Sequence, residues 1–256
     1  MTSNSATALY TAILLALAAP PAFSQQTPAD EPATLETVTV TAQRREEDVK
    51  DVPISITTVS DEKLEIIGSG GEDVRFLSAR LPSLIIESSF GRTFPRFYIR
   101  GFGNTDFDLN ASQPVSVVYD DIVQENPIVK GFPVFDLDRV ELLRGPQGTL
   151  FGRNTPAGVV KFDSRRPSQD TDGYARISYG RFGSTNFEGA VGGGLSETVS
   201  MRVSALYQSR DDYVDNTFGP GPEDELESYD DFAARAQLLF EGESSTALFN
   251  LHGRNL

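Results

Sequence analysis

The sequence contains no cysteine and only one histidine, His252. Without cysteine there can be no disulfide, no thiolate metal site and no Cys nucleophile. A single histidine leaves almost nothing from which to build a Ser-His-Asp triad or a multi-histidine metal centre, so no catalytic, metal-binding or cofactor-binding residues are expected and the chain does not read as an enzyme. Positive charge is also scarce. Lys and Arg number 22 against 37 Asp and Glu, a formal net charge of −15, which argues against nucleic acid as a partner because phosphates must be met by Lys and Arg. No apolar run reaches the roughly 20 residues that a membrane-crossing helix needs. If the mature chain enters a membrane, it does so as strands.

The short apolar run that is present, Ala8 to Ala19, reads as an export signal over residues 1–24, with a small-residue pattern at Ala22-Phe23-Ser24 and cleavage before Gln25. Only the α-amino group supplies the positive charge usual ahead of such a run, since Met1 to Tyr10 lacks Lys and Arg. Residues 25–50 then read as a flexible linker, because Gln25 to Leu35 cannot bury apolar area. Within it, Glu36-Thr37-Val38-Thr39-Val40-Thr41-Ala42 alternates apolar and polar residues and predicts a strand. Two readings are open: a lone strand with free backbone groups on both sides, ready to add to another protein's sheet, or an edge strand of the domain that follows.

Residues 51–166 predict an α+β domain. Strands are expected at Val52–Val59, Leu84–Glu87, Phe97–Gly101, Val115–Asp121, Val140–Arg144 and Val159–Phe162, and helices at Lys63–Ile67 and Gly71–Leu77, the second stopped before Pro82. Gly145 onward is rich in turn residues, with Gly145, Gly148 and Gly152 expected to meet tight backbone turns.

From Asp172 the pattern becomes a two-residue alternation in strands of about ten residues. Val199, Met201, Val203, Ala205 and Tyr207 share one face; Ser200, Arg202, Ser204, Gln208 and Arg210 share the other, with Leu206 the one apolar exception. Phe232, Ala234, Ala236, Leu238 and Phe240 oppose Arg235, Gln237 and Glu241; Ala247, Phe249 and Leu251 alternate with Leu248, Asn250, His252 and Arg254. Tyr174–Tyr179 and Asn186–Leu195 follow the same pattern more weakly. Tight connections at Ser196–Thr198 and Gly242–Ser245 contrast with the long acidic stretch Asp211–Ser228, the short-turn, long-loop asymmetry of outer-membrane barrels. Periodicity alone also fits a soluble antiparallel sandwich.

Several of these segments resemble the TonB-dependent outer-membrane receptor family. Glu36 to Glu47 is similar to a TonB box and the residues after it, Asp51-Val52-Pro53-Ile54-Ser55-Ile56 to a plug start, and Tyr98-Ile99-Arg100-Gly101 and Asp138 to Asn154 to plug motifs. Ala157-Gly158-Val159-Val160 and Arg165-Arg166-Pro167 fit as well, while Thr155-Pro156 and Lys161 depart mildly. The resemblance implies an α+β plug followed by the first antiparallel strands of a transmembrane β-barrel, an incomplete one with about five strands in residues 172–256. It implies a receptor in the outer membrane of a Gram-negative bacterium that takes up a scarce nutrient, the family default being a ferric siderophore. Its partners would be that ligand, outer-membrane lipid and TonB, which would add a strand to Glu36, Thr37, Val38, Thr39 and Val40. The plug-motif residues are Arg100, Gly101, Arg139, Glu141, Arg144, Gly145, Gly148 and Gly152, with Arg100 and Arg144 facing the barrel wall or paired internally. Ligand contact is expected at the plug apices Phe90–Phe94, Asn104–Leu109 and Gln124–Asn126, with Arg92, Asn104, Gln124 and Asn126 as candidates. The alternatives are a periplasmic plug-type module that binds TonB without transport, or a truncated, non-functional receptor. An open sheet in lipid would leave edges costing roughly tens of kcal/mol, so the reading expects a fragment, a truncated product or strands completed by other chains.

Overall fold

In a computed structural model of the protein, residues 38–60, 63–64, 73–106, 108, 110–217 and 225–256 are described. The export signal, Glu36 and Thr37, most of the helix expected at 63–67 and the centre of the long loop lie outside them. No helix among the described residues is long and apolar enough to cross a membrane.

The first half is built on a mixed sheet whose strands run β3 (Ser55–Ser60), β8 (Leu137–Arg144), β9 (Gly158–Ser164), β6 (Val115–Tyr119) and β7 (Ile122–Gln124), in that spatial order. Only β6 and β9 are parallel. β6 is buried at every position, as its unbroken Val-rich run requires of a central strand. It turns into β7 through Asp120 and Asp121, both at positive φ, the geometry of a two-residue hairpin turn. One sheet face carries the larger core, in which Val140, Leu142, Val160 and Phe162 pack against Phe76, Leu77 and the hairpin of β4 (Leu84–Glu87) and β5 (Arg96–Ile99). The other face holds a smaller cluster of Val40, Ala42, Val52, Leu143, Phe151 and Val159.

Local departures from expectation have local causes. The strand expected from Val52 starts at Ser55, because Pro53 cannot donate to a ladder and Val52 is buried in the smaller cluster. Of the helix expected at Gly71–Leu77, Gly71 and Glu72 lie outside the described residues and the rest enters a 3₁₀ turn over Val74–Ala79, capped by Asp73, whose carboxylate accepts from Arg75 N at 2.9 Å. β5 ends at Ile99 because Arg100 and Gly101 turn through positive φ. Gly148–Phe151 forms one short helical turn, α1, where only a turn was expected.

The second half is an antiparallel sheet in chain order: β10 (Asp172–Tyr179), β11 (Thr185–Ser196), β12 (Val199–Arg210), β15 (Tyr229–Glu241) and β16 (Thr246–Asn255). Among the described residues β10 and β16 are its open edges and no barrel closes. The long loop between β12 and β15 carries a small hairpin, β13 (Val214–Asp215) with β14 (Glu225–Leu226).

This wall is inverted relative to a soluble sheet. Ser200, Arg202, Ser204, Gln208, Arg235 and Gln237 are buried, while Val203, Phe232, Phe240, Phe249 and Leu251 are exposed. The polar face lies against the first domain and the apolar face looks outward. Leu206, the exception in the alternation, is explained by the same contact: with Ala233 it packs on Phe135 of the first domain.

Candidate functional site

The seam between the first domain and the wall is polar, and Asp136 organises it. Preceding β8 at φ 48°, it turns its carboxylate to the wall. Arg202 of β12 grips it with a fork, Nε to Oδ2 at 2.9 Å and Nη2 to Oδ1 at 2.7 Å, and uses Nη1 on both oxygens of Asp172. Arg235 of β15 donates to the carbonyls of Phe135 and Asp136 and to the Tyr119 hydroxyl. Asp136 N donates to Glu188 of β11, which also accepts from Tyr174 of β10. Gln237 donates to Ser164 and Asn250 to Asp120. All five wall strands thus send a side chain into a hydrogen-bonded junction with the plug or with its partners.

At the end of the wall that carries the long loop, a cavity of about 690 Å³ opens between Asp73, Arg75, Phe90, Arg92, Arg210 and Tyr229, among others. Arg92, expected to face ligand, lines this basin but is committed to the wall. It donates to Gln208 Oε1 at 2.6 Å, pairs with buried Asp231 at 3.4 Å and lies over the Tyr229 ring at 3.5 Å. Arg210 covers the same ring at 4.8 Å. Asp231 is shared, because Arg254 of β16 also forks onto it. The other apex candidates lie elsewhere. Asn104 closes a local turn by accepting from Asp106 N, Gln124 donates back to Ile122 O, and Asn126 accepts from Ile128 N beside the Arg153–Glu125 ion pair. The structure therefore does not bring the four candidates into one site.

At the opposite end, the tight-turn end, a second cleft of about 740 Å³ lies between Thr41, Arg44, Arg139, Lys161, Asp163 and Leu248. Here the described part of the expected strand has partners on both sides. Thr39–Val40 (β1) pairs antiparallel with Glu47–Asp48 (β2), Val49 N donates to Val38 O at 2.9 Å, and Val40 and Ala42 are buried in the smaller cluster. On the other edge, Arg139 Nη1 donates to Thr39 O at 3.3 Å and Thr41 N donates to Glu141 Oε1 at 2.7 Å. Lys161 Nζ donates to Thr41 Oγ1 at 2.7 Å and pairs with Asp163. Burial pushes the Glu141 carboxyl above its ordinary range, the Thr41 N–H and the nearby Lys161 charge opposing the shift. The alternation of the segment predicts a strand; it carries no information about partners.

The remaining motif residues serve the plug itself. Arg144 donates to Pro82 O, Ser83 Oγ and Thr57 Oγ1, and Arg100 to Ser55 Oγ, so their hydrogen bonds hold the Pro82–Ser83 turn and β3 and reach none of the wall strands. Gly101, Gly145 and Gly152 do adopt positive φ. Gly148 does not; it opens α1. Asp136, Asp231, Tyr229 and Lys161 were not foreseen as site residues. The signal that could have found Asp136 was the placing of Arg202 and Arg235 on a face that turns away from lipid, where each must meet an acceptor.

Residues 48–159 match the TonB-dependent receptor plug domain. The chain is similar to the pesticin receptor of Yersinia enterocolitica, 31% identical over 168 residues that cover 66% of this chain and 24% of that receptor. The vitamin B12 transporter BtuB of Vibrio vulnificus is 33% identical over 138 residues, covering 52% and 21% of the two chains. The ferrioxamine B receptor of Salmonella typhimurium is 26% identical over 174 residues, covering 66% and 23%. Among solved structures, the ferric yersiniabactin uptake receptor FyuA from Yersinia pestis has the same fold, with a TM-score of 0.70 at 24% identity over 78% of this chain and 31% of that one. The chain spans about a quarter of the length of the curated relatives it matches.

Proposed function

The chain belongs to the TonB-dependent receptor family, with that family's plug domain at residues 48–159, and from this premise we propose that it serves active uptake of a scarce nutrient across the outer membrane. The observation that carries the reading is the inverted wall. Arginine, glutamine and serine are buried on the plug while phenylalanine and leucine face outward, the arrangement of a sheet with lipid on its outer side and a filled polar interior. With short turns toward the periplasm, the basin beside Arg92 and Tyr229 opens to the exterior and the cleft at Thr41 opens to the periplasm. Ligand then enters at the first and TonB works at the second, on residues 36–40. The TonB-binding role of Glu36, Thr37, Val38, Thr39 and Val40 rests on their similarity to a TonB box.

The ligand class we favour is an iron–siderophore complex. Support comes from the ferrioxamine B receptor among the relatives, while the vitamin B12 transporter marks the competing class. Uptake of radio-iron as hydroxamate or catecholate chelates, and of labelled cobalamin, should be compared in cells with and without the receptor that carries this chain, in backgrounds with and without TonB. TonB-dependent iron accumulation is the expected result. Cobalamin uptake alone would replace the ligand, and a chain recovered entirely in the soluble periplasm would replace transport with a plug-type interaction module.

A further inference from the structure

Within residues 36–42, the described part makes hydrogen bonds on both edges. In an antiparallel pair successive residues direct their N–H and C=O groups to opposite sides. Val49 N bonds Val38 O, and the register pairs Val40 with Glu47, so Val38 and Val40 turn to β2. Thr39 and Thr41 turn the other way, and there side chains stand where a strand would be. Arg139 and Glu141, two residues apart on the same face of β8, reach Thr39 O and Thr41 N respectively. Glu141 is opposite Lys161 in the β8–β9 register, and Lys161 holds the Thr41 hydroxyl. The spacing of donor and acceptor matches the spacing of the segment's own groups.

We propose that Arg139, Glu141 and Lys161 form a clasp that imitates a neighbouring strand, and that an incoming strand of a partner protein must take the clasp edge by displacing them. The clasp is the weaker of the two edges. Its bonds come from three separate side chains, whereas the hairpin edge is a backbone pairing that is covalently continuous through residues 41–46. The clasp is thus a set of positioning residues that covers Thr39 and Thr41 until it opens. The identity of the partner as TonB rests on the function proposed above; the clasp itself does not.

The absence of cysteine makes the test clean. In the whole chain, Val40→Cys places one thiol in the smaller cluster, and Val117→Cys in a separate variant places one in the larger core as a control for plug integrity. Each is followed by its rate of modification with a maleimide, with no ligand and no TonB present. Adding Glu141→Ala should speed modification of the Val40→Cys thiol roughly tenfold or more, the Val117→Cys thiol staying protected. Glu141→Gln, which keeps an oxygen for Thr41 N, should restore most of the protection. An unchanged rate at position 40 overturns the clasp. Equal exposure at both positions overturns it too, since Glu141 would then hold the plug as a whole. Failure of transport or of TonB binding leaves these rates untouched, so the two readings fail separately.

Discussion

Asp136 of the plug and Arg202 of the wall meet as a buried fork, two hydrogen bonds of 2.9 and 2.7 Å between fully enclosed groups. Removing two charges from water is costly, and attraction offsets that cost only where every donor is met. Here Arg202 turns its remaining nitrogen to Asp172, and Arg235 closes over the Asp136 carbonyl.

Asp136→Ala should therefore lower stability by about 3–5 kcal/mol, because it leaves Arg202 enclosed with its main acceptor gone. The double change Asp136→Leu with Arg202→Met should cost much less than either single change. Urea unfolding midpoints of the four chains check this; additive losses would show that the two residues act independently.

The exposed face of the wall makes an opposite demand. Val203 and Ser204 are neighbours on β12, one outward and one inward. Val203→Arg should cost about 2–4 kcal/mol of membrane stability if the strand sits near the bilayer centre, whereas Ser204→Ala should cost little. Heat-modifiable migration of the folded species reports both.

Lys130 gives a pH dependence of known sign. Enclosed near Val117, Phe132 and Phe162 and bonded to Gln113 and the Val115 carbonyl, it has its pKa pushed down by burial to about 8 from an ordinary 10.5. Between those values the unfolded chain holds the proton more tightly, so the contribution of Lys130 to stability rises as pH climbs from about 8 toward 10.5. Lys130→Met should remove that rise, visible as the difference between thermal melts of the two chains across this window. Parallel curves would mean that the amine is not desolvated.

Two glycines of the motif region, both at positive φ, should differ in whether crowding adds to conformational strain. Gly152 has positive φ and open space around it, so Gly152→Ala should cost about 1–3 kcal/mol in strain alone. At Gly158 a Cβ would lie 2.2 Å from the Leu143 carbonyl oxygen, inside the ladder between β8 and β9. Gly158→Ala should be the more damaging of the pair by denaturant midpoint.

The wall is largely legible in the amino-acid sequence, because a two-residue period in Val199–Arg210 records which side of a strand meets which medium, and that information lies along the chain. Even the lapse at Leu206 is visible there, though its reason, Phe135, is not. What stays hidden is what crosses from one element to another. Asp136 sits in a stretch between Phe135 and Leu137 with no motif value, and only the fold puts it under two arginines. Arg92 is expected at an apex, yet its pairing with Gln208 and Asp231 spans more than a hundred residues of sequence. The segment around Val40 has the period of a strand whether or not anything lies beside it.

Tyr229 stands at the root of the long loop, its ring covered by Arg92 from the plug and by Arg210 from the wall. A tug on that loop that shifts the ring has to slide it off Arg92, and the same guanidinium is tied to Gln208 and Asp231. The root of the loop and the tip of the plug therefore share one aromatic ring, and because that ring also begins β15 it cannot be displaced without disturbing the wall residues that hold Arg92.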